Sequence, residues 1–379
     1  MTVRPLGPDD AEAAHALQAE AFGAEPGPVP EGWPGDGTRA FGAFTGGRLA
    51  ATAHVHGLAS WFGGRAVATA GVANVAVRPE ERGAGLLAPL LAVALADARE
   101  RGALVSTLFP TAPGIYRRLG YELVGELADV EVPVAALSRV PPAPGVALRR
   151  ADAQDRDAAR AVYDRWAAAQ DGPLTRRTPA RGFPDDRYAL TLAVADGAVV
   201  GYAAWTSREG YRADRSAVEV RELVAVSGPA VAALWRFLGG FGSTSATVRL
   251  RTSGADAARL VLPAAAWRPV HQLPYGLRVL DVAGAFAARG VSPLDVTLPF
   301  TVADVGAFRL VASGGVAACE PAPVGDGPVF TANGLALAYA GVQSCANLRF
   351  AGLLSGPDTD DARWDALLGG RPFHIRDFF

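Results

Sequence analysis

The chain has 379 residues, a formal net charge of -2 and 50% hydrophobic residues, and all 36 of its basic residues are arginine. With no lysine there is no Schiff-base or pyridoxal-phosphate lysine, no P-loop Gly-Lys-Ser/Thr and no lysine base or nucleophile; positive charge can reach an anion only as guanidinium, a rigid fork that keeps its proton. The near-neutral balance argues against nucleic acid or an anionic membrane as a partner, two cysteines (Cys319 and Cys345) make neither a disulfide framework nor a metal-ligand set, and the length allows two or three domains.

The segment Met1 to Ala13 is polar and acidic where a signal peptide is basic and then apolar. The longest apolar run, Gly85 to Ala96, is too short to span a bilayer. A cytoplasmic protein is expected. A strand at Val3 to Leu6 leads through Asp9 and Asp10 into an alanine-rich helix ending near Phe22. Hairpin strands follow at Phe41 to Phe44 and Arg48 to His56, then a buried strand at Val72 to Val77 and a helix at Leu86 to Arg101. Val140 to Val146, rich in Pro and Gly, reads as a linker. Beyond it the same order returns: Val146 to Arg149, Asp152 and Asp155, a helix to about Trp166, hairpin strands at Leu190 to Val194 and Ala198 to Thr206, a strand at Val218 to Val226 and a helix at Pro229 to Leu238. This order predicts a duplicated α+β unit. The pairs Arg149-Arg150 and Arg176-Arg177 read as solvated charge.

A weaker break lies near Ser292-Pro293, after a short helix, Val282 to Arg289, closed by Gly290. The remainder alternates strands such as Phe308 to Val311 and Val316 to Cys319 with helices over Asn333 to Ala340 and Thr359 to Leu368. The chain stops at Phe373-His374-Ile375-Arg376-Asp377-Phe378-Phe379. Termini are normally polar and frayed, so this apolar ending predicts a buried last residue with its α-carboxylate inside the protein.

Chemistry concentrates between Gly71 and Tyr121. Pro89 is comfortable only in a first helical turn, so the helix starts no earlier than about Gly85. The N–H groups of Gly83 to Leu86 are then free donors at a positive helix end, with Arg82 beside them: a pyrophosphate site without lysine. Gly83-x-Gly85-x-x-Ala88 also fits the dinucleotide pattern. In a Rossmann fold, however, the first glycine follows the strand almost at once and the next strand ends in an acid. Here eight residues, Arg78 to Gly85, intervene, and Ala103 to Phe109 carries no acid.

Arg82-x-x-Gly85 after a strand resembles the acetyl-coenzyme A loop of the GNAT acetyltransferases, R/Q-x-x-G-x-G/A, with Leu87 at the last small position. Gly114-Ile115-Tyr116-x-Arg118-Leu119-Gly120-Tyr121, Tyr163-x-Arg165-Trp166, Glu222-Leu223-x-Ala225-Val226, Ala287-Ala288-Arg289-Gly290 and the terminal phenylalanine narrow the resemblance to the enhanced intracellular survival (Eis) family. That resemblance implies an α+β chain of tandem GNAT-like domains, residues 1–139 catalytic and 140–285 without a cofactor loop, followed by a sterol-carrier-protein-like domain over 286–379. It further implies a homo-hexamer without metal, nucleic-acid or membrane partners. The implied activity is transfer of acetyl from acetyl-coenzyme A to a primary amine of a small molecule, aminoglycoside-like or polyamine-like, by direct attack. By the same resemblance, Val75, Ala76 and Val77 flank the pantetheine arm, and Arg82, Gly83, Ala84, Gly85 and Leu86 hold the pyrophosphate. Tyr116 is then the general acid, and the α-carboxylate of Phe379 the general base. Phe22, Glu25, Trp33 and Phe378 border the substrate. Phe378 stands where relatives often carry an acid, which implies a less anionic pocket. Ser227-Gly228 replaces the whole loop in the second copy, which should bind no coenzyme A. His54 and His56, on one strand face, read as structural. Competing readings are a longer acyl donor, a protein lysine acceptor, or a non-catalytic carrier of an apolar ligand.

Overall fold

The computed structural model describes residues 1–25, 27–182, 188–207, 216–254, 256–262 and 266–379. The first unit runs β1 (Thr2–Pro5), α1 (Ala11–Phe22), β2 (Thr38–Thr45), β3 (Arg48–Phe62), β4 (Arg65–Val77), α2 (Leu87–Glu100), β5 (Val105–Leu108), α3 (Pro113–Arg117), β6 (Glu122–Pro133) and α4 (Val134–Leu137). The second repeats the order: β7 (Ala147–Arg150), α5 (Arg156–Ala168), β8 (Ala189–Ala195), β9 (Ala198–Ser207), β10 (Ala217–Ala225), α6 (Gly228–Leu238), β11 (Thr247–Ser253) and β12 (Arg268–Val279).

The copies share local devices as well as order. Arg4 grips Asp10 with two bonds of 2.7 and 2.8 Å, and Arg149 grips Asp155 with two of 2.6 Å. In each copy this bidentate pair closes the turn between the first strand and the first helix. Gly46-Gly47 and Asp196-Gly197 both have positive φ. They make the two-residue turns that match the right-handed twist of a hairpin.

The two units form one sheet, in the order β1-β2-β3-β4-β5-β12-β6-β11-β10-β9-β8-β7. The last strands are exchanged: β12, from the second unit, pairs with β5 of the first, while β6, from the first, pairs with β11 of the second. β6 and β12 also pair with each other along most of their length, so neither unit's sheet is complete without the other's final strand.

The rest of the chain comprises α7 (Val282–Ala288), β13 (Val296–Val302), β14 (Gly306–Ser313), β15 (Val316–Pro321), β16 (Val329–Phe330), α8 (Ala332–Tyr339), α9 (Cys345–Phe350), β17 (Leu354–Ser355) and α10 (Asp361–Leu368). It builds a five-stranded sheet, β15-β14-β13-β16-β17. Its core is continuous with the first unit's: Phe286, Phe300, Tyr339 and Trp364 belong to the same buried cluster as Phe62, Val105, Tyr275 and Leu277. At the seam Gly63 and Gly290 touch so closely that a Cβ on either would sit 2.0 Å from the other's carbonyl oxygen. Beside them the buried Arg289 spans Asp171 at 3.3 Å and the carbonyl of Tyr339.

Two features position the site. β4 pairs in parallel with β5 only from Thr69 to Val72, after which the strands diverge. Just past that point its register against β3 shifts, and Asn74 takes φ 49, so β4 bulges where the cleft opens. α2 buries Leu90, Leu91, Ala94, Leu95 and Ala98 in one stripe. Pro89 sits in its first turn, and a two-glycine approach, Gly83 and Gly85, has φ 87 and 76. Only glycine adopts those angles without strain.

Candidate active site

The strand-to-helix loop is open to solvent. Arg82, Gly83, Ala84 and Gly85 are exposed, and an added Cβ on either glycine would meet nothing within 4 Å. Among the described residues, the N–H groups of Gly83, Gly85 and Leu86 and the guanidinium of Arg82 have no protein partner, whereas the Ala84 N–H, expected to be free with them, donates to the Glu81 carbonyl at 3.2 Å and closes the preceding turn. Unpaired amides at the start of a fourteen-residue helix, α2, form an anion cradle. Arg78 is otherwise engaged, donating from Nε to the Leu49 carbonyl at 2.6 Å.

Below the loop lies a cavity of about 600 Å³ in the divergence of β4 and β5. Val75 and Asn74 on the bulge, Tyr116, Phe109, Phe378 and Phe379 all line it. Ala76 is buried beside this wall and Val77 is half-buried. Tyr116 and Tyr121 cross edge-on with ring centroids 6.1 Å apart, yet their hydroxyls differ. That of Tyr121 is spent on Ser106 Oγ at 2.6 Å. That of Tyr116 has no partner among the described residues. Burial pushes the Tyr116 phenol up to about 12, so it stays protonated across the neutral range.

A second cavity of about 390 Å³ adjoins the first, and Phe22 and Asn74 line both. Glu25 and Trp33 line it, together with Glu31, His54 and His56. The Trp33 Nε1–H is buried without a partner among the described residues. The histidines have structural bonds and also face this space. His54 lies 3.0 Å from Gln18 Nε2 and 3.1 Å from Asn74 Nδ2, and His56 Nδ1 lies 2.8 Å from Thr38 Oγ1. A neutral imidazole offers one donor and one acceptor, so His54 accepts from one of the two amide nitrogens at a time, as its tautomer sets. Burial holds both histidines down at about 4, helped by His56 for His54 and by Arg181 for His56. Both are therefore neutral at neutral pH.

The C-terminal segment enters between the units. Ile375, Arg376 and Asp377 are buried, Phe378 is exposed, and Phe379 is half-buried, so the burial expected of the last residue falls on the residues before Phe378 and reaches Phe379 only in part. The Phe379 ring meets His56, Phe109 and Tyr275 at 6.0, 5.4 and 6.3 Å. Buried charge holds the segment. Arg376 reaches Asp256 at 2.7 Å and Thr252, while Asp377 receives Arg176 Nε at 3.0 Å. Arg176 also forks onto Glu222 at 2.9 and 2.7 Å. Arg181 and Arg221 donate to the carbonyls of Phe378 and Arg376 at 2.6 and 2.8 Å. This corrects the expectation for Arg176: it is only 2% exposed and ties the terminus to the second unit, while Arg177 remains on the surface. An arginine pair in a polar stretch carries no mark of burial; the partners that desolvate Arg176 lie 46 and 201 residues away. Reasoning from the sequence also passed over Asn74, Phe109 and Thr111, which line the first cavity. Of these only Asn74, polar in an apolar strand, offered a signal.

The close approach of the terminus to β4 depends on Gly71. A Cβ there would lie 2.4 Å from Leu58 Cδ1 and 2.8 Å from Phe379 Cε2. Gly71→Ala is expected to cost about 1–3 kcal/mol by overpacking, and part of that cost should disappear in the background of Phe379→Ala. Thermal unfolding of the four proteins checks this; equal costs in both backgrounds would mean that Phe379 is not the obstruction.

Residues 2–124 match a family model described as an acetyltransferase (GNAT) domain, and residues 152–279 match a second model of the same description. An uncharacterized N-acetyltransferase of Streptomyces avermitilis is 30% identical over 314 residues, 76% of this chain and 76% of its own length. N-acetyltransferase Eis of Mycobacterium tuberculosis is 28% identical over 316 residues, 77% of this chain and 75% of that protein.

The chain belongs to the Eis family of GNAT N-acetyltransferases.

A GCN5-related N-acetyltransferase from Kribbella flavida superposes with a TM-score of 0.83 at 27% identity, over 100% of this chain and 98% of that one. Eis1 from Mycobacterium abscessus shares the fold, with a TM-score of 0.79 at 23% identity over the full length of both. The tandem arrangement of an Eis-family enzyme is thus present, with the open loop on the first unit. Neither Cys319 nor Cys345 lines either cavity. No described helix is long and apolar enough to cross a membrane. Among the described residues no cluster of three His, Cys, Asp or Glu could hold a metal.

Proposed function

We propose that the protein transfers acetyl from acetyl-coenzyme A directly to a primary amine of a small molecule at the junction of the two cavities. The observation that carries this reading is that an unpartnered phenol, Tyr116, and the terminal Phe379 line one cavity whose wall is the bulged strand β4, below a loop of unpaired amides. The free N–H groups of Gly83, Gly85 and Leu86 with Arg82 suit a pyrophosphate, and the unpaired edge of β4 at Val75 to Val77 suits the amides of a pantetheine arm. A backbone N–H at the bulge can polarise the thioester carbonyl.

The amine attacks the acetyl carbonyl, the C–S bond breaks, and the amine proton passes to the α-carboxylate of Phe379. Such a carboxylate normally titrates near 3.3 to 3.7 and is a weak base, so it acts through proximity. Tyr116 supports the departing sulfur. A thiol titrates near 8.5, so full proton transfer from a phenol near 12 is uphill by about 5 kcal/mol. Tyr116 therefore acts as a hydrogen-bond donor to the growing thiolate and keeps its own proton; coenzyme A leaves as the thiolate and takes its proton from water, while the carboxylate of Phe379 returns the amine proton to solvent.

The second cavity suits an amine with an aromatic or hydroxylated body. Its two histidines are neutral and do not repel a cation, Trp33 offers both a ring face and a free N–H, and Glu25 and Glu31 supply negative charge. Phe378, apolar, lowers that charge at the inner end, which favours a singly charged amine over a polycation. In our reading, residues 1–139 form the catalytic domain, 140–285 its cofactor-free copy and 286–379 a sterol-carrier-like domain, in a cytoplasmic homo-hexamer.

Adding two glycines after Phe379 tests the base. The extended protein is expected to keep its fold and its affinity for acetyl-coenzyme A while acetyl transfer, followed as free coenzyme A released in a screen of amines, falls by at least about 10²-fold. Unchanged turnover in the extended protein would rule out the terminal carboxylate.

A further inference from the structure

The second unit retains a cleft of its own. β10 pairs with β11 only from Ala217 to Val220, then the two diverge, just as β4 leaves β5 after Val72. The register of β10 against β9 shifts immediately afterwards, between Val220 and Glu222, where β4 shows its bulge. Beyond that shift β10 has no strand partner on the side that β11 has left, so its peptide groups there face a cavity of about 740 Å³.

The walls of this cavity, among them Trp166, Leu223, Ala225, Val226 and Val231, are mostly apolar. Its polar groups are few and unequal. Asp256 is fully engaged, its Oδ1 accepting from the Ala258 N–H at 2.9 Å and its Oδ2 from Thr252 and Arg376 at 2.6 and 2.7 Å. Arg165 also lines the cavity but has no hydrogen bond or ion pair among the described residues. The Oε1 of Gln170, just past the end of α5, is buried without a partner among the described residues. The free charge of the cleft is thus positive, next to an uncommitted carboxamide.

The other end of the first cleft's ligand has no counterpart here. Only Val226 and Ser227 connect β10 to α6, and the Ser227 hydroxyl already caps the helix by accepting from the Ala230 N–H. Among the described residues nothing here resembles the open loop that offers the amides of Gly83, Gly85 and Leu86, so a pyrophosphate-linked nucleotide has no grip. The chemistry left is that of an extended chain with amides for a strand edge, an apolar body, and one anionic end for a guanidinium.

We propose that this second cleft binds a small molecule of the phosphopantetheine class: a chain bearing two amides and a single terminal phosphate, with no nucleotide. The comparison rests on reading the first cleft as a pantetheine site, but its test is independent. In calorimetric titrations of the full-length protein, coenzyme A is expected to take one equivalent. With that site saturated, 4′-phosphopantetheine is expected to take one more. Arg165→Ala should weaken this second event at least about tenfold, since a charge-assisted hydrogen bond is worth more than a tenfold change in affinity. Pantetheine without its phosphate should bind the wild type as weakly as phosphopantetheine binds that variant. Val231→Trp, which fills the cleft from α6 without touching the strand pairing, should abolish the event while coenzyme A binding reports an intact fold.

The proposal is overturned if 4′-phosphopantetheine gives no second event, if the event is indifferent to Arg165→Ala, or if coenzyme A itself takes two equivalents. Failure of the first site alone would show instead as loss of coenzyme A binding, with the phosphopantetheine event and its dependence on Arg165 preserved.

Discussion

Replacing Tyr116 with phenylalanine is expected to lower kcat for acetyl transfer by about 10²–10⁴-fold with little change in the affinity for acetyl-coenzyme A. The substitution is clean because the hydroxyl has no partner among the described residues to orphan, and the ring, 8% exposed and edge-on to Tyr121, keeps its packing. Tyr121 cannot take over, since its hydroxyl is held by Ser106. Because burial raises the phenol to about 12, the protonated form persists through neutral pH. Ionisation of Tyr116 should therefore contribute no alkaline fall in rate below about pH 11. Steady-state kinetics over pH, beside calorimetric titration with acetyl-coenzyme A, provide the check; a variant with undiminished kcat would remove Tyr116 from the chemistry.

Arg176→Met is expected to destabilise the protein by about 3–5 kcal/mol at neutral pH, the cost of leaving buried charge without its partner. Both Glu222 and Asp377 lose their common cation, and Asp377 lies two residues from the terminus. The pH dependence gives the sign. Burial alone would raise Glu222, but Arg176, with Arg221 and the Tyr202 hydroxyl, outweighs it and holds the carboxyl at about 2. A carboxylate depressed in the folded state stabilises above its ordinary range near 4.3 and loses that contribution as pH falls towards 2. In Arg176→Met the charge is uncompensated and protonation relieves it. The deficit relative to wild type should therefore shrink as pH falls from 7 to 4, as denaturant titrations at the two values would show. A deficit equal at both would mean that packing, not charge, is what Arg176 supplies.

The parts of the fold legible in the sequence are those governed by neighbours along the chain. Pro89 placed the start of α2 to within two residues, and the recurrence of strand, acidic turn and amphipathic helix revealed the duplication, because turns and helix ends are set by local backbone chemistry. The exchange of β6 and β12 was not legible. A strand's alternation states which face is buried and says nothing about which strand lies beside it, and the partners here are far apart: Tyr275 stands opposite Gly125. The site divides the same way. The loop of Arg82 to Leu86 could be read because its glycines and helix end are contiguous. The anchoring of the terminus by Arg176, Glu222 and Asp256 could not, since each looks like an ordinary surface charge until the tertiary fold removes water from it. The short helix α9, six residues from Cys345 to Phe350, was likewise missed, being too brief to show a period.

The strand exchange also sets a timetable for synthesis. β5 ends at Leu108, but the strand that must lie beside it begins at Arg268, 160 residues later. At about 5–20 residues per second, the nascent first unit holds an unpaired, apolar strand edge for roughly 10–30 seconds before its partner emerges. Such an edge invites pairing with another chain, and the first cavity, which Leu273, Pro274, Phe378 and Phe379 help to line, cannot be complete until most of the protein has been translated.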